Sequence, residues 1–191
     1  MNVKRNFPNS RLRRLRTSDN LIKLVSETSL SSNDLIQPLF IKENLEGTEL
    51  IDSMPNISRF SADSVLNGVE DVLNSGVNSI ALFPVIEESK RDDLGKAALN
   101  KSNLICKSIQ SIKKRFPEII IIADVALDPY TNHGHDGIIK DNYVDNDLTL
   151  DALKSQSLLL AESGADIIAP SDMMDGRIGI IRKALEEANY K

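Results

Sequence analysis

Residues 124–137 read DVALDPYTNHGHDG and bring Asp124, Asp128, His133, His135 and Asp136 into one segment, including both histidines of the 191-residue chain. Carboxylates and imidazoles at that density can hold a cation, orient an ammonium group or move a proton. They can equally fold a surface loop on itself through hydrogen bonds, and residue type alone leaves both readings open. A second polar cluster, Ser171 and Asp172, follows a short apolar run, where the aspartate could also cap a helix. Cys106 is the single cysteine, which excludes an internal disulfide and a thiolate-rich zinc site.

Four runs rich in branched apolar residues precede or contain these polar positions: 35–41, 79–86, 119–127 and 166–169. Each is short and nearly continuous, which predicts strands buried on both faces, as in a parallel sheet covered by helices. Helical spacing fills the intervals at 62–75, 96–115 and 150–163, with a fourth stretch at 174–189. The expected order is therefore βαβαβαβα. The hexapeptides from Ser75 to Ile80 and from Ser163 to Ile168 share a Ser-Gly step, 88 residues apart, that suits a helix C-terminus turning into a strand. This weak repeat fits a stack of βα units, with right-handed crossovers placing the helices outside a curving sheet. On that plan Asp124, Asp128, Ser171 and Asp172 fall at the C-terminal ends of strands three and four, and Pro84 at the end of strand two. That edge is where α/β proteins build active sites. The connection after strand three, about 20 residues long, has the length of a binding loop or lid.

With 41% hydrophobic and 27% charged residues, the composition is that of a packed globular protein. No apolar run approaches the ~18 residues of a membrane helix, and the start lacks a secretory signal pattern, so the expectation is a cytoplasmic protein without a membrane partner. Charge is uneven: residues 1–16 carry Lys4, Arg5, Arg11, Arg13, Arg14 and Arg16 with no acid, which leaves the body at −11. A basic arm suits nucleic acid, but one aromatic residue, Phe7, is little for base stacking, and attachment to an acidic neighbouring subunit explains the arm at least as well, so no nucleic-acid partner is expected. The expected division is a basic arm with a short helix at 1–33 and βα units over 34–191.

Several segments resemble the porphobilinogen synthase (5-aminolevulinate dehydratase) family, in the family's order: RLRRLR at 11–16, SMP at 53–55, LFPV at 82–85, DVALDPYT at 124–131, HGHDG at 133–137 and APSDMMDGR at 169–177. The last is long and specific. The resemblance implies an α/β fold of the TIM (β/α)8 barrel family, here its first four βα units. It implies condensation of two 5-aminolevulinate molecules to porphobilinogen with loss of water, in tetrapyrrole (haem) synthesis, by a homo-octamer whose arm wraps a neighbour.

By the same resemblance Asp124 and Ser171 contact the substrate amino group. A carboxylate there orients an ammonium and can take its proton. Ala126, Asp128 and Asp136 stand where zinc-using members carry cysteines, so no active-site zinc is expected; Asp128 and Asp136 offer hard oxygen donors suited to magnesium or to no metal at all. Gly95-Lys96-Ala97-Ala98 replaces an acidic family stretch. The two lysines that form Schiff bases in the family lie downstream of the GlyArg motif, and neither Lys140 nor Lys191 matches them. The expectation is thus a chain catalytically incomplete alone. The competing readings are a non-catalytic barrel piece that associates with a complementary or full-length subunit, and an unrelated barrel hydrolase using the Asp/His loop for a metal.

Overall fold

The computed structural model describes residues 6–191; Lys4 and Arg5 of the expected basic arm lie outside the described residues. Four strands form the body of one sheet: β1 (Gln37–Lys42), β4 (Ser79–Val85), β5 (Ile120–Val125) and β8 (Ile167–Pro170), each parallel to its neighbour. Helices α2 (Val65–Asn74), α3 (Leu104–Arg115), α4 (Asn146–Ser163) and α5 (Arg177–Glu187) follow the successive strands. The four units make a partial (β/α) barrel.

Burial alternates along β1, β4 and β5, while β8 at the edge has no fully buried residue. Leu39, Ile41, Ile80, Leu82, Ile121, Ala123 and Val125 are buried and join Val69, Val72, Ile105, Ile109, Ile112, Leu153 and Leu160 of the helices in one core. The opposite face, carrying Phe40, Ala81, Phe83, Ile122 and Asp124, is only half-buried. The expectation of strands buried on both faces therefore holds for the helix-covered face alone. The other face is the inner face of the curved sheet, and within the described residues no helical layer covers it.

Sequence periodicity placed the strands within two residues of their observed ends and missed two small hairpins. Strands β2 (Thr48–Leu50) and β3 (Ser58–Phe60) pair antiparallel, and β3 joins β1 in parallel at Phe40 and Ile41. Glu49 of β2 takes ion pairs from Lys42 at 2.5 Å and Arg59 at 2.7 Å. The second hairpin, β6 (Ile139–Lys140) with β7 (Tyr143–Val144), lies inside the long connection after β5. The helix expected at 96–115 is broken in two. A 3-10 turn at Lys96–Leu99 ends at Asn100, and Asn103 starts α3 by accepting the Cys106 amide at 2.8 Å, because asparagine competes with the helix for backbone hydrogen bonds. Asp145 caps α4 through the Leu148 amide, so that helix begins four residues before its periodic apolar pattern.

Both Ser-Gly steps do what their sequence implies: Gly76 and Gly164 adopt φ of 84° and 107°, the left-handed conformation that closes a helix. Beside the second, Asp166 accepts the Ile121 amide and the Lys113 ammonium, each at 2.7 Å, and so ties the N-terminal ends of β5 and β8 together. Before β1 the chain forms a 3-10 turn at Leu12–Arg16 and α1 (Asp19–Leu24), and no described residue ahead of Leu39 is buried. No helix among the described residues is long and apolar enough to cross a membrane.

Candidate active site

At the C-terminal edge of the sheet β8 runs one residue past its ladder, where the Ser171 amide donates to the Val125 carbonyl at 3.3 Å. That contact sets Ser171 beside the end of β5, and its hydroxyl donates to Asp124 Oδ1 at 2.6 Å. Asp124 lies on the inner face with Ile122, since side chains along a strand alternate. Burial pushes the Asp124 carboxyl above the usual range; the Ser171 hydrogen bond opposes this, and the charges of Asp136 and Asp172 add to it.

Asp128 opens the 3-10 turn Asp128–Tyr130, and Asp136 lies further along the same connection. The Asp128 carboxyl is likewise held up, first by burial and then by Asp136 and Asp124, with Arg91 acting the other way. Asp172 is buried; its Oδ1 accepts the Met174 amide at 2.7 Å and its Oδ2 lies 3.3 Å from Arg177 Nε. Burial raises its carboxyl too, against the Met174 hydrogen bond and Arg177. It is thus a loop-closing group rather than the helix cap, which falls at Gly176 with φ of 81°. The edge gathers several carboxylates whose mutual repulsion and desolvation an incoming cation would relieve.

The two histidines do not join them. His133 Nδ1 accepts the His135 amide and His135 Nδ1 accepts the Gly137 amide, each at 3.1 Å, so both rings brace the loop backbone. The Asp/His segment therefore divides: its carboxylates influence one another near the sheet edge, and its imidazoles fold the loop. Among the described residues no three His, Cys, Asp or Glu side chains are arranged to hold a metal. A thiolate centre does not fit at all, because Cys106 is buried within α3 and Ala126 stands buried at the end of β5. Asp128 and Asp136 remain as oxygen donors only.

Three residues that sequence reading did not single out hold this edge in place. Gln156 of α4, fully buried, donates to the Ala126 carbonyl at 3.2 Å. Gly137 leaves room for its neighbours: a Cβ there would meet Val144 at 2.5 Å and Met174 at 3.0 Å. Asn146, at the start of α4, pairs with the backbone of Asp175. In sequence Gln156 and Asn146 look like ordinary helix residues, and Gly137 stands only as the closing residue of the HGHDG segment, with nothing to mark its packing role.

A family model described as delta-aminolevulinic acid dehydratase matches residues 9–191. The chain belongs to the delta-aminolevulinic acid dehydratase family. Relatives of that name include one from Bradyrhizobium diazoefficiens, 46% identical over 93% of this chain and 50% of its own length. Another, from Helicobacter pylori, is 45% identical over 94% of this chain and 55% of its own. The dehydratase of Toxoplasma gondii, whose crystal structure is described as a complex with the reaction product porphobilinogen, superposes with a TM-score of 0.91 at 36% identity, covering 95% of this chain and 52% of that one. The chain thus spans about half the length of the dehydratases it matches.

Proposed function

We propose that the protein carrying this chain condenses two molecules of 5-aminolevulinate to porphobilinogen with loss of water, and that this chain supplies the part of the site that receives a substrate amino group. The observation that carries the reading is the Asp124–Ser171 pair at 2.6 Å on the inner face of a dehydratase-family half-barrel. A substrate ammonium must lose a proton before its nitrogen can attack a carbonyl. A partly desolvated carboxylate is a better base than an aqueous one, and the serine hydroxyl fixes the direction of its free oxygen.

The carbonyl carbon needs its own activation, which amine nucleophiles on the enzyme provide as Schiff bases. Lys42 at the end of β1 pairs with Glu49, Lys113 sits at the opposite edge with Asp166, and Lys140 is exposed on β6. The resemblance puts the Schiff-base lysines in the part of the family that this chain does not span. Asp128 and Asp136 would be the residues to hold a hydrated magnesium ion, whose positive charge would offset their repulsion. The exposed apolar residues Leu12, Leu15, Leu24 and Leu30 ahead of the sheet support a role for the arm in contact between subunits of a cytoplasmic homo-oligomer.

The test is porphobilinogen formation from 5-aminolevulinate by the whole protein and by its Asp124→Asn variant. Turnover should fall by about 10²–10⁴-fold, the usual worth of a positioned acid–base group. A variant within twofold of the parent would reduce Asp124 to a strand-end residue, and a parent that makes no porphobilinogen would sink the assignment itself.

A further inference from the structure

The turn that delivers Ser171 to Asp124 is exposed for most of its length: Ser171, Met173, Asp175 and Gly176 face solvent, and only Asp172 and Met174 are buried. Its internal bonds, Asp172 to the Met174 amide and Arg177 to the Met174 carbonyl at 2.9 Å, close the turn, and the Ser171 amide bond to the Val125 carbonyl at 3.3 Å anchors its first residue, which leaves the far end to be held from outside. One side chain from outside takes hold of that far end through both the amide and the carbonyl of a single residue. Asn146 Oδ1 accepts the Asp175 amide at 2.8 Å, while Asn146 Nδ2 donates to the Asp175 carbonyl at 3.3 Å.

We propose that Asn146 is a positioning residue for the reacting pair, holding the 171–176 turn against the start of α4 so that the Ser171 hydroxyl reaches Asp124. Its carboxamide has no capping duty to explain it, because Asp145 is the N-cap of α4. The helix behind it is a rigid support, with Leu150, Leu153 and Leu160 buried in the core and Gln156 bound to the strand end at Ala126. Asn146 thereby joins two connections: the one after β5, which carries Asp128 and Asp136 and ends at α4, and the one after β8, which carries Ser171. Met174 packed over Gly137 makes a second, apolar link between them. The catalytic meaning of the clamp rests on the function proposed above; the positioning itself does not.

The ionisation of Asp124 reports the serine contact, since that hydrogen bond holds its carboxyl down against burial and against the charges of Asp136 and Asp172, which the experiment leaves in place. The Asp124 side-chain carbon shift, followed against pH in the folded chain, should move its midpoint upward in Ser171→Ala. Asn146→Ala should reproduce that upward shift, and in a Ser171→Ala background should add nothing to it, the signature of two residues acting on one contact. Asn146→Asp retains the acceptor for the Asp175 amide and keeps helix-start chemistry, so it serves as the second variant should the alanine substitution impair folding. Its effect is expected to be smaller than that of alanine, and whatever persists without Ser171 measures its added charge. An unchanged Asp124 midpoint in Asn146→Ala, or a shift as large with Ser171 absent as with it present, would overturn the proposal. No turnover enters this measurement, so its outcome is separate from that of the porphobilinogen assay.

Discussion

Asp124, Asp128 and Asp172 share one energetic property: each is held above its ordinary value of 3.8, in every case mainly by burial. A carboxyl with a raised folded-state value favours the native state while it is protonated, below its unfolded value. That contribution is lost as pH rises through the folded value. At neutral pH these groups therefore cost stability. Asp124→Asn, which keeps an oxygen to accept the Ser171 hydroxyl, is expected to raise the melting temperature at pH 7 while turnover collapses. The gain should vanish below pH of about 4, where the parent carboxyl is neutral as well. Paired thermal melts at the two pH values check this. A second expectation concerns metal: without thiolates at Ala126, Asp128 and Asp136, a zinc-selective chelator should leave the activity of the whole protein intact, and activity restored by zinc alone would contradict it. The place of Asp124 and Ser171 at the sheet edge was legible in the sequence because a short polar group after an apolar run marks the C-terminal end of a strand, whereas their role was read from the family resemblance alone. The histidines were not legible, since an imidazole that braces a backbone and one that binds a ligand have the same one-letter code. Asn146 and Gln156 escaped notice because an amide on an amphipathic helix ordinarily faces water.

The four parallel strands and their helices were legible because branched apolar runs and 3.6-residue periodicity record burial by a helical layer. The hairpins were not: β2, β3, β6 and β7 have two or three residues each, too few for any period to repeat. The connection after β5 is nonetheless well packed, and Gly137 is its tightest point. Gly137→Ala would drive a methyl group into Val144 and Met174, at 2.5 and 3.0 Å, and force the β6–β7 hairpin away from the turn after β8. Overpacking of this kind typically costs about 1–3 kcal/mol. For this variant we expect a lower melting temperature together with faster amide exchange in residues 137–144, while exchange in β1 and β4 stays as in the parent. Uniform loss of protection across the sheet would instead mean that the connection folds as one unit with the core.

At the scale of the whole molecule, β8 is hydrogen-bonded to a strand on one side only among the described residues, and beside it lies a groove of about 460 Å³ lined in part by Ile167, Ile168, Ile178, Ile181 and Leu185. Open strand edges with apolar surroundings recruit other chains. Residues 1–191 studied alone should therefore show a weight-average mass that rises with concentration in sedimentation, and Ile167→Lys with Ile178→Glu should return it toward the monomer. The other end of the same strand pair carries a different consequence. Asp166 grips the Ile121 amide and Lys113 at 2.7 Å, three residues upstream of Asp124. Strand faces alternate, so sliding β5 past β8 by a single residue would carry Asp124 into the helical layer and present Ala123 and Val125 to the hollow instead. The grip works like the index pin of a vernier: together with the β5–β8 ladder it keeps Asp124, rather than Ala123 and Val125, in the row of side chains that faces the hollow. Asp166→Ala is accordingly expected to lose about 1–3 kcal/mol of stability through the stranded amide.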